Sequence, residues 1–188
     1  MVTKWVSGIC GVIIVLATAI GIWAHFQNEK ANTYIDEANT LLNKGNALVV
    51  EVTPKYQKLF TEEALNGFPG NRAELEAAAQ EPADKYAKAA EFYRHAAAKL
   101  DEGVKTSASE IVSQYWELLA KADLKLAEGK EAARSAALLF ADKSIQSLDQ
   151  LNDKMTPLAD IIQKSNKEYE DFSAQAEKIK ADHPNDIK

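Results

Sequence analysis

From Ala31 onward, apolar side chains recur every three or four positions with polar ones between them. The first run, Ala31, Tyr34, Ala38, Leu41, Gly45, Leu48 and Val52, is a heptad-like stripe that predicts one face of a long helix. Pro54 predicts a kink or an interruption. The pattern resumes at Tyr56, Leu59 and Phe60 and ends at Asn66-Gly67-Phe68-Pro69-Gly70, the clearest loop in the chain. Asn71 with Glu74 three residues on has the form of a capping box, and Pro82 predicts that Asn71 to Gln80 is a short separate helix. The next stripe is Tyr86, Ala89, Tyr93, Ala96 and Leu100, closed by Gly103. A further helix is expected from near Thr106 or Ser107, carrying Ile111, Tyr115, Leu118 and Ala122, with Gly129 as a weak break. Another runs from about Lys130 through Ala133, Ala136, Phe140, Ile145, Leu148 and Leu151. Thr156-Pro157 reads as an N-cap with a first-turn proline, leading a last helix with Ile161, Tyr169, Phe172 and Ile179.

The period-two alternation of a strand is missing, apart from Leu48 to Val52, which fits the helical stripe better. The expected fold class is all-α: a single N-terminal transmembrane helix over residues 1–27, then a four- to five-helix bundle of long, heptad-like helices over 28–182, and a frayed tail at 183–188. Many core positions are Ala, which permits close helix approach but buries less area per residue than Leu.

Three short runs, Ala38/Leu41/Gly45, Ala96/Leu100/Gly103 and Ala122/Leu126/Gly129, each place a glycine just after an Ala and Leu turn. The stretch LKLAEGKEAARSAALLF, Leu124 to Phe140, is loosely similar to a tetratricopeptide hairpin. The glycines are 58 and then 26 residues apart rather than a steady 34, and Arg134 stands where that repeat carries alanine, so a regular array is not expected.

The apolar front changes the picture most. Residues 5–28 contain no formal charge, only His25. As a helix they would reach roughly 36 Å, against a bilayer core of about 30 Å. Trp5 and Trp23 sit near the two ends, where indoles favour the interface. Ser7 and Gly11, and Ala17 and Gly21, are small-xxx-small pairs of the kind that let membrane helices approach closely. A rival reading is a signal peptide cut after Ala17-Thr18-Ala19. Apolar sequence continuing through Ile20, Ile22, Trp23 and Phe26 favours the anchor, because a signal peptide ordinarily turns polar past its cleavage site. Lys4 precedes the segment, whereas Glu29, Lys30, Asp36 and Glu37 follow it. The positive-inside rule therefore predicts a cytoplasmic N-terminus and a periplasmic, or otherwise extracytoplasmic, domain.

Among the chain's 188 residues, 22 Lys and Arg against 28 Asp and Glu give a net charge of −6, which argues against nucleic acid as a partner. The lone cysteine, Cys10, lies inside the apolar segment, so the domain has neither disulfide nor thiol. Of three histidines only His95 lies within the domain. A surface pair with Glu91 one turn away explains it better than a metal site, because di-iron bundles need two Glu-x-x-His motifs. No phosphate loop, haem motif or nucleophile motif is present. No cofactor or metal is expected, and the chain does not read as an enzyme. The adjacent aromatic pairs Phe92-Tyr93 and Tyr115-Trp116 point about 100° apart on a helix, so one of each is expected at the surface. Tyr93, Trp116 and the loop residue Phe68 are the candidate partner contacts. The reading is a membrane-anchored structural or interaction subunit that braces or binds another protein, or a copy of itself. The alternative is a ligand-binding or degenerate tetratricopeptide-like module, secreted if the front is cleaved.

Overall fold

The computed structural model describes residues 29–107 and 109–187, all in helices and the short turns that join them. The residues expected to form a membrane segment, Trp5, Ser7, Gly11, Ala17, Gly21 and Trp23, lie outside the described residues. Four long helices dominate: α1 (Glu29–Lys58), α3 (Arg72–Thr106), α4 (Glu110–Leu138) and α5 (Leu148–Asp182). A five-residue helix, α2 (Glu62–Asn66), sits between α1 and α3, and a 3-10 turn, Leu139–Ala141, extends α4. Side-chain hydroxyls start three of these helices. Thr61, Ser109 and Ser147 accept from the backbone N–H groups of Ala64, Val112 and Gln150 at 3.3, 3.4 and 3.3 Å.

Packing follows chain order: α1 on α3, α3 on α4, α4 on α5, each pair antiparallel. Cross-helix ion pairs trace the same three seams. Glu37–Lys99 at 3.0 Å, Lys55–Glu81 at 2.6 Å and Glu51–Lys85 join α1 to α3. Arg94–Glu131 at 3.1 Å joins α3 to α4, and Lys125–Glu168 at 2.8 Å joins α4 to α5. The core fills the space between the four helices. Near one end Tyr56 packs on Phe60 and Tyr86, and Phe60 and Phe68 both reach Phe140. Towards the other end the fully buried Trp116 packs with Ile35, Leu100, Tyr115, Ala176 and Ile187. Burial of Ile187 corrects the expected frayed tail: the turn after α5 folds back, with the Ile187 N–H on the His183 carbonyl at 3.1 Å.

Several expected breaks are not breaks. Pro54, Pro82 and Pro157 all lie inside long helices, so Asn71 to Gln80 is not a separate helix and Pro157 does not start one. The physical reason is shared. A helical proline frees the carbonyl four residues back, here that of Val50, Ala78 and Asp153, and all three residues are exposed, so water can take the lost hydrogen bond. Asn71 does precede α3, but its side chain makes no cap and instead donates to the Ala64 carbonyl at 2.9 Å.

The glycines also mean something other than turns. Gly129 is in the middle of α4, so Leu124 to Phe140 contains no hairpin at that point. The real break comes after Phe140, where Asp142 and Ser147 organise the turn. Gly45 and Gly103 are likewise helical, and each faces an aromatic ring. A Cβ at Gly45 would sit 2.6 Å from Tyr93 Cε1, and one at Gly103 would sit 2.7 Å from Trp116 Cζ3. A Cβ at Gly129 would meet Ser165 Cβ at 3.5 Å, an ordinary contact.

Opposite effects of one substitution follow. Alanine gains about 1 kcal/mol over glycine in a helix interior, but overpacking a rigid core costs about 1–3 kcal/mol. In urea melts, Gly45→Ala and Gly103→Ala are expected to destabilise the protein, whereas Gly129→Ala stabilises it by about 0.5–1 kcal/mol. The same sign at all three positions would refute the close approach of ring to backbone.

Candidate functional site

The three aromatic residues expected to touch a partner are all interior. Tyr93 and Trp116 are 0% exposed and Phe68 is 7% exposed. Each has a local reason. Tyr93 and Trp116 fill the notches left by Gly45 and Gly103. Phe68 is folded under its own loop, against Phe140 at 6.3 Å and under the Arg72 guanidinium at 5.0 Å. Arg72 completes that anchor by donating to the carbonyls of Asp142, at 3.0 Å, and Ile145. Of the adjacent pairs, Phe92 is half-buried beside buried Tyr93, as the 100° offset predicts. Tyr115 and Trp116 are both buried, because α4 has α3 on one side and α5 on the other. His95 and Glu91 are both exposed on α3.

The exposed large apolar side chains among the described residues are Val50 on α1 and, bordering one groove, Leu124 on α4 and Ile161 on α5. Leu124 and Ile161 are 47% and 38% exposed. They help line an open groove of about 390 Å³, together with the apolar Ala127, Ala132 and Leu158 and the polar Arg94, Glu128, Glu131 and Ser135. An apolar strip with a charged border is the usual anatomy of a protein-docking surface. Leu124 stands outside any apolar stripe, so nothing in the sequence pattern marks it. For Ile161 the stripe is one residue off: the buried residue is Ile162, in phase with Leu151, Met155, Ser165 and Ala176. Adjacent isoleucines leave the phase of a helix open by 100°, and Ser165, a polar core residue, hides the correct one.

Inside the bundle, polar groups lie in two layers one heptad apart. The Tyr93 hydroxyl donates to Asn46 Oδ1 at 2.8 Å, with Asp123 and Tyr169 within electrostatic reach of it. The second layer holds Tyr86, hydrogen-bonded to Thr53, with the Lys130 ammonium 5.9 Å from the Tyr86 ring. Burial raises the Tyr86 hydroxyl to about 12, with the Thr53 bond acting the other way. Among the described residues no group of three or more His, Cys, Asp or Glu side chains could hold a metal ion.

No protein-family model, curated protein or solved structure matches the chain.

The face assignment is testable with neighbouring residues. Ile162→Ala is expected to cost about 2–5 kcal/mol, as for a core isoleucine, and Ile161→Ala and Leu124→Ala at most about 1 kcal/mol. Equal losses at Ile161 and Ile162 in thermal melts would put Ile161 in the core and remove the groove.

Proposed function

We propose that the chain is a membrane-tethered interaction subunit, in which residues 1–27 hold the protein in a membrane and the helical bundle docks a partner protein through the Leu124/Ile161 groove. The observation that carries this reading is the uncharged run of residues 5–28, long enough as a helix to cross a bilayer core and bounded by Lys4 and Glu29. Among the described residues no helix is long and apolar enough to cross a membrane. Attachment thus rests on that run alone, and the bundle is the part held at the surface. Lys4 before the run and the acidic residues after it favour a cytoplasmic N-terminus with the bundle on the other side. The groove supplies what a tethered bundle needs to engage a partner, since exposed Leu and Ile bordering one groove form a patch rather than scattered single residues.

A second reading keeps the same bundle and releases it. Ala17-Thr18-Ala19 is a small-x-small site, and cleavage there would yield a secreted helical module beginning at Ile20. The two are separated by expressing the tagged chain in a bacterial host, washing the membranes with alkaline carbonate and weighing the intact protein. The anchored reading predicts full-length chain in the washed membranes. A soluble protein whose mass begins near Ile20 would overturn it.

A further inference from the structure

Two ionisable groups lie in the bundle interior on one face of α4. Asp123 and Lys130 are seven residues apart, and only 6% and 4% of their surfaces are exposed. Neither has a hydrogen-bond or ion-pair partner among the described residues. The groups facing Asp123 are neutral: Tyr93 from α3, Tyr169 from α5 and, through the Tyr93 hydroxyl, Asn46 from α1. Glu170 beside Tyr169 adds negative rather than positive charge. Facing Lys130 is the Tyr86 ring from α3, itself edge-on to Tyr56 of α1, and Ser165 and Asn166 of α5 lie against neighbouring Gly129. An unpaired carboxylate in such surroundings carries a large desolvation cost, which protonation removes.

The helix arrangement shows where that cost can be relieved. The bundle is clamped along α1/α3, α3/α4 and α4/α5 by close packing and ion pairs. Between α1 and α5 close backbone approach is sparse, and no ion pair joins the two helices among the described residues. The layer around the Tyr93 hydroxyl reaches both of these helices, through Asn46 of α1 and Tyr169 of α5, and holds Asp123 between them.

We infer that the bundle is a pH-sensitive device, closed when Asp123 is protonated and loosened along the α1/α5 seam when that carboxyl ionises. Burial raises the Asp123 carboxyl to about 8 and lowers the Lys130 ammonium to about 8. An unfolded Asp titrates near about 4. Between about pH 4 and 8 the folded chain therefore holds a proton that the unfolded chain has lost, and stability falls as pH rises through that window. Lys130 acts in the opposite sense. Between about pH 8 and the ordinary lysine value near 10.4 the unfolded chain holds the extra proton, so stability recovers as pH rises. The two together place a stability minimum near pH 8.

The test uses the full chain in detergent at constant ionic strength. The melting midpoint is expected to fall by on the order of 10 °C from pH 5 to pH 8. Asp123→Asn should abolish most of that fall, and Lys130→Met should keep the fall but lose the recovery above pH 8. The same pH slope with and without the carboxyl would overturn the inference. If Asp123→Asn does not fold, the carboxyl carbon of Asp123 in the unaltered chain is followed by NMR. A titration midpoint near pH 8 supports the device, and one near pH 4 overturns it. Spin labels at exposed Asn39 on α1 and exposed Gln175 on α5, in a Cys10→Ser background, read the seam directly. The distance distribution should lengthen and broaden from pH 6 to pH 9, and an unchanged distribution would exclude opening there.

Discussion

The close approach of aromatic rings to helix backbone at Gly45 and Gly103 sets the register of everything else. Tyr93 lies where a Cβ on Gly45 would be, and Trp116 where one on Gly103 would be. Each contact fixes how far one helix slides along the next, because a ring in a notch one residue wide has no second position. Glycine in a helix interior costs about 1 kcal/mol relative to alanine. Burial of a complete Tyr or Trp, of the kind whose truncation costs about 3–5 kcal/mol, offsets that. Where no ring approaches, as at Gly129, the same residue type has no such role.

With the register set, the heptad spacing does the rest. Asn46 and Thr53, Tyr86 and Tyr93, and Asp123 and Lys130 are each seven apart, so one layer of polar contacts is repeated two turns away. The first layer brings together all four long helices around one hydroxyl, and the second pairs Tyr86 with Thr53 and Lys130. The interior is therefore not a plain apolar core: it contains the ionisable side chains of Asp123 and Lys130, while the outer face at α4 and α5 leaves Leu124 and Ile161 uncovered.

The all-helical, bundle-like character of the described residues and the stripe of α3 are legible in the sequence, and Tyr86, Ala89, Tyr93, Ala96, Leu100 and Gly103 are all buried. The loop is legible at Gly67 to Gly70, since Gly and Pro there leave little else to form, although Asn66, expected in it, ends α2. Boundaries are not. Taken as punctuation, proline and glycine mislead: they stand inside helices when the freed carbonyl faces water or a ring fills the notch, and both conditions depend on residues far away in sequence. Conversely, the true break at Phe140 to Ser147 contains neither residue type, and its signals are the short-range caps of Asp142 and Ser147. The interaction surface escapes the sequence for a related reason. Large aromatics resemble partner contacts in a sequence, but whether a Trp or Tyr is covered depends on what its neighbouring helices leave room for. Asp123 and Lys130 look like any other helical charges until α3 and α5 are packed over them.

The central functional claim is that the α4/α5 groove, rather than any other apolar surface of the bundle, meets a partner. Val50 is the natural control, being apolar, 64% exposed and on α1 away from the groove. The most direct measurement places a photo-crosslinking amino acid singly at Leu124, Ile161 and Val50 of the full chain in its own membranes. Adducts of one discrete mass from Leu124 and Ile161, and none from Val50, are the predicted result. The same pattern at all three positions, or an adduct at Val50 alone, would contradict it.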